Sequence, residues 1–256
     1  MSAIVIITPA SAEVKDNFAI NAVTGTPSPA ERQVQARILT VTSAEMTTVA
    51  ATGGQDPQTS PFVQQSDIDA AASTAKPLAT QAAQAALQQQ VMANEAPVNS
   101  PQCTLQVTSN HAAGDRAATV TVTAQATCTQ EVYDQQTAQS MVADLLKLEA
   151  SRNPGPTYAQ VGNLMTSVTQ ATVVDTQGTI SLLIAADGIW AYQLSSAQMQ
   201  AFAQLIAGRS QSEAISILSQ QPGVGQVQID IPGGGNILPQ DPAQIAITIQ
   251  SVSGLS

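Results

Sequence analysis

The stretch CTLQVTSNHAAGDRAATVTVTAQATC, Cys103–Cys128, holds both cysteines and the only histidine, His111, of a 256-residue chain. Two runs of alternating residues flank the polar centre AAGDRAA, the pattern of a β-hairpin. Folding the strands back around Asp115 and Arg116 sets Cys103 opposite Cys128. The same register pairs Leu105 with Ala126, Val107 with Ala124, Ser109 with Val122 and His111 with Val120. On the other face Thr104 meets Thr127, Gln106 meets Gln125 and Thr108 meets Thr123. One face is then largely apolar and the other wholly polar, and a slip of one residue would destroy the sorting.

Directly opposed residues of an antiparallel pair lie about 4.5 to 5.5 Å apart at Cα, a range that overlaps what a disulfide accepts. Closing the loop stabilises the fold by about 3 kcal/mol in the chain-entropy model. Two free thiols in a reducing compartment remain the alternative. A zinc site would need Cys103, His111 and Cys128 to converge with a fourth ligand, yet His111 lies about 27 Å of strand from the cysteines. No CxxC or HxxxH spacing occurs anywhere, so no metal is expected. A disulfide would imply an oxidising environment such as a cell surface or an extracellular particle.

Composition sets the rest of the frame. Charged residues are 10% of the chain against roughly 25% in an ordinary domain, and Gln, Ser and Thr take their place. The net charge of -10 repels phosphate backbones, which argues against nucleic acid as a partner. Aromatics are 3%, so the core must be built from small and β-branched side chains. No run approaches the roughly 18 apolar residues of a membrane span. The start, MSAIVIITPASAEV, lacks a basic region and its apolar core ends at Pro9, so it does not read as a secretory signal peptide. Export would then use another route or a longer chain.

Outward from the hairpin, the element order is mixed. AIVIIT, NFAINAV and RQVQARILTVTSAEMTTVA read as strands, with TGTPSP and TGGQDPQTSP as turns around the last of them. Ser66 opens an Ala/Gln-rich helix with Asp67 and Asp69 in its first turn, and Pro77 predicts a kink or break near Lys76. Its composition gives a weakly specified face, that of a linker helix. A second helix spans roughly 134–150, with Met141, Val142, Leu145 and Leu148 at helical spacing, and NPGP stops it. A third follows Ser195 and ends at Gly208, and SQSE, Ser210–Glu213, has capping-box spacing for a fourth. NLMTSVTQATVV and TISLLIAADGIWAYQ form a hairpin around DTQG, and QVQIDI and IAITIQSV alternate as strands.

The expected class is α+β: an N-terminal β-rich segment (1–54), a helical linker (55–100), an α+β domain with the cysteine hairpin (101–208) and a small α-β-β unit (209–256). The last is packed on the domain before it or continues it. From about 117 the order fits a ferredoxin-like antiparallel sheet with helices on one face.

Chemistry is sparse. His111 at a hairpin end has no GxSxG elbow to serve, and ATGG and IPGGGN lack the frame of a phosphate loop. Asp67 and Asp69 suit helix capping; Asp230 and Asp241 flank a long turn where calcium is conceivable but solvated loop acids are expected. Trp190 and Tyr192 lie on one strand face, the pattern of a core edge, with a glycan-contacting shelf as the alternative. Catalytic residues and cofactors are expected to be none.

Whole phrases resemble a known family. AVTGTPSPAERQVQARILTVTSAEMTTVAATG, GGQDPQTSPFVQQSDIDAA, NEAPVNSPQC, EVYDQQTAQSMVADLL, VGNLMTSVTQATV, GIWAYQLSSAQMQAFAQLIAGRSQSEAISILSQQPGV and LPQDPAQIAITI are similar to segments of large bacterial baseplate J-like proteins. The resemblance runs from about residue 10 through most of the chain and includes no catalytic motif. It implies a structural component of a phage-tail-like or cell-surface assembly, with other protein subunits as partners, within a larger membrane-anchored or particle-bound protein. In the family a further β-rich stretch lies between segments like TTVAATG and GGQD; here the two abut at Gly53-Gly54.

Overall fold

A computed structural model describes residues 2–24, 34–54 and 61–253, the backbone alone at Val23 and Thr24. The turns TGTPSP and TGGQDPQTSP lie largely outside those residues. The chain is α+β. Its elements are β1 (Ala3–Pro9), β2 (Ser11–Thr24), β3 (Val34–Ala50), α1 (Gln65–Gln90), β4 (Glu95–Pro97), β5 (Gln102–Ser109), β6 (Thr119–Asp134), α2 (Gln135–Arg152), β7 (Tyr158–Val173), β8 (Ile180–Tyr192), α3 (Ser196–Ile206), α4 (Gln211–Ser219), β9 (Val224–Asp230) and β10 (Ile245–Ile249).

Two mixed sheets form: β10-β1-β9, and β4-β6-β3-β2-β8-β7 with β5 also on β6. The ferredoxin-like element order is present, but its strands are shared between these sheets: β9 leaves β7 and β8 to pair antiparallel with β1, and β10 pairs with β1 in parallel. By contact the chain divides into two units. Unit 1 is Met1–Ala19, Gln139–Thr169 and Leu183–Ser256; unit 2 is Ile20–Ala138 and Gln170–Leu182.

In unit 2, β3 and β6 run antiparallel from Ala36↔Tyr133 to Ala50↔Thr119. Even-numbered residues of β6, Val120 through Val132, are buried, and α1 lies on that face. It does so through Ala71, Ala75, Ala79, Ala83 and Leu87, one buried residue every fourth position. Alanine there lets the helix axis approach the sheet closely, so the face that looked featureless in sequence is specified by smallness. On the opposite face Thr42 and Thr127 hydroxyls bond at 3.0 Å and Thr48 and Thr121 at 2.7 Å, with Ala44 and exposed Met46 between the two pairs.

Of the kink or break expected near Lys76, the break does not occur: α1 runs unbroken through Pro77. Pro77 and Ser73, whose carbonyl loses its donor, both lie on the exposed side of the helix, away from the buried alanine face. The helix start is tied by Asp67, 4% exposed. Its carboxylate accepts from the Gln64 N–H (2.9 Å), the Thr52 N–H (3.0 Å) and the Thr52 hydroxyl (2.7 Å). Those bonds, the Gln64 N–H foremost, hold its pKa below the usual carboxylate range. The folded pKa is the lower one, so the stabilisation is present above the unfolded pKa and lost as pH falls through the folded value. The melting temperature of the protein should therefore exceed that of Asp67→Asn by a constant margin from pH 7 to 5. The margin should shrink below about pH 4; a margin independent of pH would refute the assignment.

Arg37 and Glu95 join β3 to β4 through two 2.7 Å bonds, Nε to Oε1 and Nη2 to Oε2. Glu95 is 7% exposed at its side chain and Arg37 39%. Arg37→Ala leaves a shielded carboxylate without its guanidinium, at a cost of about 1 kcal/mol; the exposed arginine is screened, so a fully buried pair would cost more. Urea unfolding of the variant checks this, and an unchanged midpoint would contradict it.

In unit 1, α3 and α4 cover one face of the β10-β1-β9 sheet around Val5, Ile7, Phe202, Ile206, Leu218, Ile229 and Leu238. Both helices open with capping boxes, Ser195 with Gln198 and Ser210 with Glu213. Helix α2 departs from its expected face. Ala138, Val142, Leu146 and Ala150 are buried, while Leu145 and Leu148 are exposed. The buried set repeats every fourth residue and uses two alanines, which a search for large apolar side chains passes over.

Candidate functional site

Strand β5 pairs with β6 in the expected register, Cys103↔Cys128 through Ser109↔Val122. Cys103 and Cys128 form a disulfide with Cα atoms 4.0 Å apart. The Asn110 N–H bonds the Thr121 carbonyl, so by alternation even positions of β5 are the hydrogen-bonded pairs and Cys103 sits in the closer kind.

The ladder stops before His111, which therefore does not face Val120. The Asn110 side chain takes the Thr121 N–H at 2.7 Å, and the turn closes with Ala112 N–H on Asp115 and Gly114 at φ 96°. His111 Nδ1 lies 3.8 Å from Asp115 Oδ2 at the surface. Among the described residues no group of three or more His, Cys, Asp or Glu could hold a metal. Asp241 accepts the Ala243 N–H at the start of a single 3-10 turn, Pro242–Gln244, and Asp230 is exposed.

The disulfide holds an outermost strand. Leu105 is 44% and Val107 38% exposed, although their partners Ala126 and Ala124 are fully buried beneath α1. In QCTLQVTS there is no charge, no proline and no bulge, the devices that usually blunt an edge. By the same alternation the N–H and C=O groups of Leu105 and Val107 point away from β6.

Trp190 is 4% exposed, and its ring lies over Gly188 beside Leu164. Tyr192 is half-buried: it meets Tyr158 edge-on with centroids 5.4 Å apart, and its hydroxyl accepts from Gln198 Nε2 at 3.1 Å. Both rings are engaged inside unit 1, and neither forms an open shelf.

Sequence reasoning missed a cleft of about 420 Å³ between α3 and β10. It is lined by Met199, Gln200, Ala203 and Gln204 on the helix and by Ile245 and Ile247 on the strand. The i, i+4 spacing in QMQAFAQ was its only local signal. Among the described residues no helix is long and apolar enough to cross a membrane. No protein-family model matches the chain, nor does any curated protein or solved structure.

Proposed function

We propose that this chain is a non-enzymatic structural subunit of an assembly at an oxidising exterior, of the phage-tail-like or cell-surface kind that the baseplate J-like resemblance implies. The observation that carries this reading is the unblunted outer edge of β5, fastened by a disulfide and bearing exposed Leu105 and Val107. Such an edge accepts a further strand through its backbone, with alternate side chains adding specificity. The disulfide fits an oxidising compartment. The threonine-lined sheet face and the charge-poor composition suit packing against other protein subunits, and the acidic balance disfavours nucleic acid. A glycan-binding reading would use Trp190 or Tyr192, and the burial of the first and the engagement of the second leave it with less support.

Fractionation of the producing cell tests the proposal. An antibody to the chain should find it in sedimented particles or washed envelopes, and Leu105→Lys with Val107→Lys should release it into the soluble fraction. A chain confined to the soluble cell interior with both thiols reduced would overturn the reading.

A further inference from the structure

We propose that β10 and the cleft beside it receive β10 of a second copy of this chain, forming one continuous sheet across a two-fold axis. The inference rests on the assembly reading and names one of its contacts.

The backbone supplies the first argument. β10 ends its sheet, paired only with β1 among the described residues. The Gln250 N–H bonds the Ile7 carbonyl, so in the parallel ladder Thr248 and Ala246 also turn toward β1, and Ile245, Ile247 and Ile249 turn outward. The Ile245 N–H is taken by the Pro242 carbonyl. What remains outward is the Ile245 C=O and both groups of Ile247 and Ile249. An antiparallel pairing centred on Ile247 satisfies all of this set except the Ile249 C=O, which would face the Ile245 N–H already taken by Pro242. The two Ile247 residues exchange N–H and C=O, and each Ile249 N–H meets the Ile245 C=O of the other copy.

Side chains supply the second. Ile245, Ile247 and Ile249 share the face toward α3, and directly opposed residues of an antiparallel pair share a face. Ile249, 42% exposed, would enter beside Ile245 of the other copy, in the cleft lined by Met199 and Ala203.

Charge is compatible with this occupant. A two-fold contact sets a patch against itself, so any net charge in it meets the same sign. The chain carries -10 overall, yet Gly188–Gly208 and Pro242–Ser253 contain no charged residue. Those two stretches supply α3 and β10. Both walls of the cleft are neutral, which is what self-pairing of an acidic chain requires.

Light scattering of the full chain across a concentration series should show a reversible dimer of the 26.3 kDa chain. Ile247→Pro removes an outward N–H while sparing the bonds to β1, and should abolish the dimer with the circular dichroism spectrum unchanged. Gln200→Lys with Gln204→Lys places like charges on the exposed helix wall and should do the same. Ile247→Cys should give an oxidised, covalently linked dimer, because the described residues hold no other free thiol. A chain monomeric at every concentration, or a dimer that survives the proline and lysine variants and fails to cross-link, overturns the inference. Fractionation separates the two proposals: a monomer found in particles refutes the β10 contact alone, whereas a β10 dimer absent from particles supports the contact and refutes the assembly role.

Discussion

Replacing Cys103 and Cys128 together by alanine should lower the stability of unit 2 by about 3 kcal/mol, the loop-closure entropy returned to the unfolded chain. Alanine is the informative replacement because Cys128 lies fully buried beside Ala124, Ala126 and Leu87, where serine would bury a hydroxyl. The loss should concentrate where the bond acts. β5 is held on one side only, so amide exchange along Gln102–Ser109 should accelerate further than exchange in β3. The only tryptophan, Trp190, belongs to unit 1 and would report a different event, which makes exchange across β5 and β6 the proper readout. Equal protection in the variant and the parent would refute the prediction, as would the parent showing no gain of two hydrogens in mass upon reduction.

The second large effect is expected at Gly223. This residue has φ +82°, and a Cβ built on it would collide with the ring of Tyr192 at Cδ1. Gly223→Ala therefore combines a left-handed backbone cost of about 1 to 2 kcal/mol with an overpacking cost of about 1 to 3 kcal/mol. The ring cannot step aside freely, since Tyr158 and Gln198 hold its edge and hydroxyl. A total near 3 kcal/mol is expected from urea unfolding followed at Trp190. Gly234→Ala, in the same unit, is the control: its φ is +77° but nothing lies within 4 Å of the added carbon, so only the backbone cost should appear. Equal losses at the two sites would show that the tyrosine contact contributes nothing.

What could be read from the sequence follows from how local each cause is. The β5–β6 register was legible because seven pairs sort polar from apolar at once, and no neighbouring register does so. The Ser210 cap was legible because Glu213 lies one turn away. Whether Pro77 breaks the helix was not legible, because its effect depends on which side of the helix it occupies, and the side is set by a sheet distant in sequence. The pairing of β1 with β9 and β10 joins Val5 to Ile229 and Ile247, and nothing near Val5 signals partners so distant. Asp67 was read as a helix-end acid, which it is; its bonds to Thr52 depended on the return of a loop. Within the proposed contacts the same rule holds. The cysteine pair was visible, whereas the outward backbone groups of β10 exist only once β1 has taken the others.

The parallel neighbourhood of β1 and β10 has a mechanical meaning. Among the described residues these are the first and last strands, and they run side by side in the same direction from Ala3↔Ile245 to Ile7↔Ile249. Tension applied ahead of Ala3 and beyond Ile249 pulls them lengthwise past each other. Their hydrogen bonds then bear the load together, in shear, whereas strands peeled from an end would lose those bonds in succession. Strung between two neighbours, the chain would meet tension along the direction in which this strand pair resists it best.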